Sequence, residues 1–251
     1  MSSPAPPPTR PSGPAAVSRA TRTGAVCGVL ALVLLVMVAT AWTPLKALDQ
    51  AVAEGLHRRA VSHPGEVRVA RVLTDWVWDP WTARALVAVA VVALWWHGAR
   101  LLAGWIAATM LFAALLQQGI KAAVGRDRPH WQDPVDSAQY AAFPSGHAMS
   151  ATVAGGLLLW LLWRARPAAP VRGAAVPVAC VSWACVAVAV VSVVGVSFTR
   201  VYLGVHWLSD VVAGVLLGAG VVAFSVAGHT AVVRARSGGG LDRTGNLSHR
   251  S

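Results

Sequence analysis

Charged side chains are scarce in this chain. Only 12% of its 251 residues are Asp, Glu, Lys or Arg, about half the share of an ordinary soluble domain. Hydrophobic residues make up 56%, and the mean hydropathy is +0.57. This composition argues against a separate soluble domain and predicts a protein whose solvent is lipid.

Acidic residues and cysteines are also few. Ten acidic residues face 21 basic ones, for a formal net charge of +11. The basic residues stand at the ends of apolar segments instead of forming a dense stripe, so we predict contact with anionic membrane lipids and no nucleic acid partner. Cys27, Cys180 and Cys185 all lie in apolar stretches, without the spacing of a metal site or a disulfide framework.

Six long apolar stretches lie between two polar tails. They cover approximately residues 24–42, 82–96, 101–120, 148–163, 175–196 and 207–231. Backbone amides cannot stay unpaired in hydrocarbon, so stretches of this length predict helices. We therefore predict an all-α, six-transmembrane-helix bundle over residues 24–236, with disordered tails at 1–23 and 237–251. The sequence gives no indication of the oligomeric state.

Two segments leave alternatives open. Arg19 and Arg22 precede the first apolar stretch, and residues 39–41 read Ala-Thr-Ala, which resembles the end of a cleaved signal peptide. The stretch is longer than the apolar part of a usual signal peptide, which favours a membrane span. Residues 43–80 carry mixed charge with apolar residues at helical spacing, which is typical of a helix on the membrane surface.

The placement of arginines predicts the orientation. The inner loops are cationic without balancing acids, whereas the first outer loop also holds Asp49, Glu54, Glu66, Asp75 and Asp79. The bias is clear once four cations in unusual polar clusters are set aside. It favours a multi-pass cell-membrane protein with both termini in the cytoplasm.

Three polar clusters interrupt the apolar pattern, at residues 121–129, 143–147 and 199–210. The first follows the third predicted span, the second leads into the fourth span, and the third connects the last two spans. In the predicted topology all three therefore fall at the same face, outside the cytoplasm. We expect one site to be assembled from these distant segments.

The side chains in these clusters suit a phosphate group. Lys121, Arg128 and Arg200 are donors without acceptor capacity, and arginine can bind phosphate oxygens in a two-armed fork. Ser145 and Gly146 stand just before a predicted helix, where a hydroxyl and free backbone amides can bind an anion. The expected phosphate-binding residues are thus these five.

The histidines and one carboxylate suit covalent chemistry. His206 and Asp210 are four residues apart and share a face if a helix has started there. A carboxylate that accepts a hydrogen bond from one ring nitrogen leaves the other nitrogen free to attack. His147, from another segment, can protonate a leaving oxygen. We predict catalytic roles for these three residues without a metal or other cofactor.

The three clusters resemble the signature of the type 2 phosphatidic acid phosphatase and vanadium haloperoxidase superfamily. That signature reads Lys-x6-Arg-Pro, then Pro-Ser-Gly-His, then Ser-Arg-x5-His-x3-Asp. Residues 121–129 and 144–147 match it fully, and Arg200, His206 and Asp210 match in identity and spacing. Thr199 stands where the family usually has serine, and it keeps a hydroxyl.

The resemblance implies a phosphohistidine intermediate at His206, oriented by Asp210, with His147 as acid and then as base. It also implies phosphate contacts from the five residues named above, independence of metal and a site that faces away from the cytoplasm. Arg126 and Asp127 lie inside the first cluster without being signature positions. We leave them as possible local helpers.

The expected function is hydrolysis of a lipid phosphate or lipid diphosphate. Undecaprenyl diphosphate, phosphatidic acid and phosphatidylglycerol phosphate are candidate substrates, and the first is mildly favoured by a residue bias typical of GC-rich bacterial genomes. A lipid phosphotransferase on the same scaffold is the main alternative. A transporter is disfavoured because its charges are expected in mid-span, and a metal pair at His206 and Asp210 is disfavoured by the surrounding cations.

Overall fold

A computed structural model describes residues 14–166 and 178–245. Within these residues the chain forms α-helices and no β-strand. In chain order the helices are α1 (Pro14–Ala39), α2 (Thr43–Ser62), α3 (Pro64–Val72), α4 (Pro80–Trp96), α5 (Arg100–Val124), α6 (Gly146–Arg164), α7 (Val178–Tyr202) and α8 (Leu208–Gly245), with a π-helical turn at Leu73–Val77. The predicted all-α class is confirmed.

Six helical segments in the described residues are long and apolar enough to cross a membrane. They are Ala16–Ala39, Pro64–Trp96, Arg100–Val124, Gly146–Arg164, Ser182–Tyr202 and Leu208–Ser237. Each corresponds to one of the six predicted apolar stretches, so the six-helix transmembrane bundle is confirmed. Val89, Leu115 and Val191 are more than half exposed on these helices, as expected of side chains that face lipid.

Both terminal helices extend into segments predicted as tails. Helix α1 begins at Pro14 and α8 continues to Gly245. Residues 14–23 and 237–245, which were predicted as parts of the tails, are therefore helical. An alanine-rich segment adjoins the first apolar stretch, and a helix propagates easily once it has nucleated. Residues 1–13, 167–177 and 246–251 lie outside the described residues, and the predicted start of the fifth span falls among them.

Helices α2 and α3 occupy the segment predicted to be helical between the first two spans. Proline lies in the first turn of α2, α3 and α4, where its missing N–H costs no hydrogen bond. Asp79 caps α4, since its Oδ2 accepts a hydrogen bond from the Trp81 backbone N–H at 2.6 Å. The second membrane-crossing segment is longer than predicted because α3 runs through the π-helical turn towards α4.

Helix α6 lies at the centre of the bundle, packed against α4, α5, α7 and α8, while α1 packs along α8. Ile106, Val153 and Leu157 are fully buried in this core. Gly214 lets α8 approach the start of α6, because a Cβ atom there would lie 2.6 Å from the Ser145 carbonyl oxygen. This close approach brings the first turns of α6 and α8 together.

Candidate active site

The predicted clusters converge at one end of the helix bundle. Lys121 lies in the last turn of α5, Ser145, Gly146 and His147 begin α6, Arg200 lies in the last turn of α7, and His206 and Asp210 flank the start of α8. The Ser145 backbone N–H donates to the Asp210 carbonyl oxygen at 2.9 Å. Lys121, Arg200 and His147 are all within electrostatic reach of His206. The site that the sequence predicts from separate segments is thus brought together.

His206 and Asp210 form a buried pair. His206 is 2% exposed and Asp210 is fully buried. The His206 Nδ1 atom lies 3.3 Å from Asp210 Oδ2, and the same oxygen accepts a hydrogen bond from the Trp207 backbone N–H at 2.9 Å. Asp210 lies in the first turn of α8, where the helix dipole stabilises a carboxylate.

The partners of the His206 ring define its tautomer. Arg128 Nη1 lies 3.3 Å from His206 Nε2, and a guanidinium can only donate. These two contacts fit the tautomer in which Nε2 carries the lone pair and Nδ1 donates its proton to Asp210, and the ring is also within hydrogen-bonding reach of the Ala142 backbone. This is the tautomer that a nucleophilic Nε2 requires.

Arg128 also joins two loops. Its Nε donates to the Tyr140 carbonyl oxygen at 2.9 Å, and its Nη2 donates to the Gln139 carbonyl oxygen at 3.0 Å. Its Nη1 donates to the Val205 carbonyl oxygen. The guanidinium is thereby held between the loop that precedes α6 and the residue that precedes His206.

Two polar atoms at the site lack partners. Ser145 Oγ and Arg200 Nε are buried and make no hydrogen bond within residues 14–166 and 178–245. Buried polar atoms are normally paired, because an unpaired one costs free energy. Oxygens of a phosphate bound at the site could pair with both atoms. Lys121 differs, since its Nζ donates to the Ala141 carbonyl oxygen.

Burial and nearby cations set the charge of the site. Burial lowers the pKa of His206 well below its ordinary value, and the positive charges of Arg200, Arg128 and Lys121 lower it further. Burial also lowers the pKa of Arg128, although the group remains a cation near neutral pH. The ring of His206 is therefore neutral while cations surround it.

A family model described as the PAP2 superfamily matches residues 102–234. This range is more than half of the chain, and it contains all eight predicted site residues. The chain belongs to the PAP2 superfamily. Together with the six membrane-crossing helices, this membership identifies a membrane-bound phosphatase. Comparison with curated protein sequences gives no match.

A solved structure shares the PAP2 fold of this chain. It is the crystal structure of a transmembrane PAP2 type phosphatidylglycerolphosphate phosphatase from Bacillus subtilis. The two structures superpose with a TM-score of 0.64 and 21% sequence identity, over 80% of this chain and 94% of the other. At this identity the likeness concerns the fold.

Three residues outside the predicted catalytic and phosphate-binding sets adjoin the PAP2 site, one of them the predicted local helper Arg126. Arg126 donates to Asp210 Oδ1 at 2.6 Å and to Asp49 Oδ2 at 2.7 Å. Ser209 donates to Asp49 Oδ2 at 2.5 Å. Asp49 lies on α2, far from the signature in sequence, so no spacing could reveal its partners. The one hint in the sequence was that Asp49 is among only ten acidic residues in the chain.

Thr199, the departure from the PAP2 signature, uses its hydroxyl within the helix bundle. Its Oγ1 donates to the Val196 carbonyl oxygen at 3.0 Å and lies 3.2 Å from the Thr74 hydroxyl oxygen, which can donate to it. The hydroxyl therefore links α7 to the π-helical turn at Leu73–Val77. Asp127 has a structural contact as well, because its carbonyl oxygen accepts from Trp207 Nε1 at 2.9 Å.

The donor set of the site fits an anion better than a cation. Across the described ranges, no three His, Cys, Asp or Glu side chains lie close enough together to hold a metal ion. Asp210 is already engaged by Arg126, and His206 by Arg128. Arginine, lysine, hydroxyl and backbone amide donors are the groups that bind phosphate oxygens.

Proposed function

We propose that this PAP2 protein hydrolyses a lipid phosphate or lipid diphosphate through a phosphohistidine formed at His206. The observation that carries the proposal is the environment of the His206 ring. Its Nδ1 faces Asp210, and its Nε2 faces the Arg128 guanidinium. The ring is thus oriented by a carboxylate on one side and presented to a cation that can hold phosphate on the other.

The phosphate is held by donors from four segments. Arg128 and Arg200 supply guanidinium N–H groups, Lys121 supplies an ammonium group, and Ser145 supplies its hydroxyl. The backbone N–H of Gly146 in the first turn of α6 adds a donor at a positive helix end. The unpaired Ser145 Oγ and Arg200 Nε support this assignment. The donors hold the charge on the phosphate oxygens in the in-line transition state.

The reaction proceeds in two displacements. His206 Nε2 forms a bond to phosphorus while the bond from phosphorus to the lipid oxygen breaks, and His147 gives its proton to that oxygen. Asp210 stabilises the positive charge that develops on the ring. Water then attacks phosphorus, gives its proton to His147 and releases inorganic phosphate as the Nε2–P bond breaks.

The lipid substrate can reach the site by lateral diffusion within the bilayer. The site lies at one end of a transmembrane bundle, so a lipid with its tail in the bilayer can present its headgroup there. We propose that this end faces away from the cytoplasm and that both termini are cytoplasmic, in accord with the arginine distribution. A cysteine is introduced at the exposed Tyr140 in a variant that lacks Cys27, Cys180 and Cys185, and its labelling by an impermeant reagent in intact cells tests this orientation.

The decisive test is phosphate release by purified full-length protein in the presence of a chelator. The substrates are undecaprenyl diphosphate, phosphatidic acid and phosphatidylglycerol phosphate, the last being the substrate class named for the Bacillus subtilis structure. We expect His206→Ala to lower the rate at least about 10³-fold. Wild-type activity that disappears in chelator, or a fully active variant, would contradict the proposal. Transfer of phosphate to a lipid acceptor would identify a phosphotransferase instead.

A further inference from the structure

Asp49 is a fully engaged carboxylate in the interior of the protein. It lies on α2 and is 1% exposed. Its Oδ1 accepts a hydrogen bond from the Ser209 backbone N–H at 2.9 Å. Its Oδ2 accepts from Ser209 Oγ at 2.5 Å and from Arg126 Nη2 at 2.7 Å. A buried carboxylate is tolerated only with such partners, so these contacts are strong constraints on the local geometry.

Arg126 connects this carboxylate to Asp210. Its Nη1 donates to Asp210 Oδ1 at 2.6 Å and to Ser209 Oγ at 2.7 Å. The guanidinium is 16% exposed, and its carbon atom lies 5.5 Å from the centre of the Trp207 ring. One planar cation thus bridges two buried carboxylates in a two-armed geometry that lysine cannot reproduce.

The bridge fixes the rotation of the Asp210 carboxylate. Oδ1 is committed to Arg126, which leaves Oδ2 for the Trp207 backbone N–H and for His206 Nδ1. Without the bridge, the carboxylate group can rotate and its charge loses the direct ion pair with Arg126. Either change weakens the hydrogen bond that selects the reactive tautomer of His206.

We propose that Asp49 is a positioning residue of the active site, acting through Arg126 and Ser209 to hold the Asp210 carboxylate against His206. Asp49 contacts neither the phosphate-binding groups nor the His206 ring among the described hydrogen bonds. It also lies outside the residues 102–234 that the family model matches. Helix α2 is therefore part of the catalytic unit. The inference rests on the proposed role of His206.

The first experiment replaces Asp49 by Asn in the full-length protein and measures kcat and KM for phosphate release. Asn keeps the shape but removes the charge that holds Arg126. We expect kcat to fall by about 10- to 100-fold with KM changed less than about threefold, because a misplaced catalytic group weakens the transition state more than substrate binding. Glu54→Gln is the matched control, since Glu54 is an exposed carboxylate on the same helix, and it keeps wild-type kcat.

A second experiment separates positioning from general stability. Asp49→Asn is combined with Asp210→Asn, and kcat is compared across the four proteins. If Asp49 acts through Asp210, the double variant is no slower than Asp210→Asn alone. A further loss equal to that of the single Asp49→Asn change would show an independent, structural effect and would overturn the proposal.

Arg126→Lys tests the same bridge if Asp49→Asn fails to fold. It keeps the positive charge and loses the two-armed contact, so we expect the same fall in kcat with a small change in KM. Wild-type kcat in this variant, or in a folded Asp49→Asn protein, would overturn the inference while His206→Ala remained inactive. A fully active His206→Ala would instead refute the proposed function, so the two failures are distinguishable.

Discussion

Helix α8 takes part in two polar clusters, a buried one at its N-terminal end and a partly buried one near its middle. The terminal cluster joins Asp210 to His206, Arg126 and, through Arg126, to Asp49. The middle cluster joins Ser225 to Trp105 and Thr109, with Trp105 Nε1 2.9 Å from Ser225 Oγ and Thr109 Oγ1 2.7 Å from it. The first contains ions, whereas the second is neutral.

The two clusters also differ in whether their hydrogen bonds can be replaced when one side chain is removed. In the middle cluster, Trp105 Nε1 also donates to the Ser225 carbonyl oxygen at 3.1 Å, and Thr109 Oγ1 donates to the Trp105 carbonyl oxygen at 2.8 Å. Each donor therefore keeps a backbone acceptor without the Ser225 hydroxyl. In the terminal cluster backbone N–H groups also donate to both carboxylates, but they carry no full charge, and buried carboxylates need a charged partner such as Arg126. We infer that the neutral cluster serves helix packing and the charged one chemistry.

The largest effect is expected for Arg200→Lys. Arg200 lies close enough to His206 of the terminal cluster to act on it electrostatically. Lysine keeps the positive charge but removes the buried, unpaired Nε, so a donor to the transition state is lost. We expect kcat to fall about 10²-fold. The control is Arg164→Lys at the opposite end of α6, with unchanged kcat. Equal kcat for wild type and Arg200→Lys would show that the charge alone suffices.

A change in pH dependence is expected for Arg128→Gln. Burial and three cations hold the pKa of His206 well below its ordinary value, so the ring stays neutral to a lower pH than an ordinary histidine does. Removal of the Arg128 charge raises this pKa, and the acidic limb of kcat/KM moves to higher pH.

The pH at which the acidic limb falls distinguishes two effects of Arg128, its charge acting on the pKa of His206 and its binding of phosphate. Arg128→Lys keeps the charge, so its limb stays near that of the wild-type protein even though both variants bind phosphate less well. The pH profile of kcat/KM for the three proteins measures this. A limb that moves equally in both variants would contradict the assigned cause.

The smallest effect is expected for Ser225→Ala in the neutral cluster. Both donors keep backbone acceptors, so the free energy of unfolding falls by about 0.6 kcal/mol, the mean for hydrogen bonds between membrane helices. We expect kcat within about twofold of the wild-type value. Unfolding in detergent and phosphate release measure the two quantities. A tenfold loss of kcat would contradict the inference that the neutral cluster serves helix packing and not chemistry.

The bundle and the convergence of the signature residues were predictable from sequence for a physical reason. Long apolar stretches in lipid have few alternatives to helices, and an ordered set of loops and spans places alternate loops at the same face. The limits of α1 and α8 were not predictable in this way, because the helices continue past the apolar stretches into residues 14–23 and 237–245.

The network behind the site was also beyond sequence reasoning. Asp49 and Asp210 are far apart in the chain, and only the packing of α2 against the start of α8 puts both within reach of Arg126. Thr199 shows the same limit. Its hydroxyl was recognised, but its partner Thr74 lies in a π-helical turn that no periodicity indicated.

Detection of the covalent intermediate is the most direct test of His206 as the nucleophile. The purified protein is mixed with substrate labelled in the phosphate and quenched within milliseconds in alkali, where a phosphoramidate bond is stable. We expect labelled protein, with the label on His206 and absent from His206→Ala. A fully active enzyme that never carries label, or carries it on a different residue, would contradict the assignment of His206 as the nucleophile.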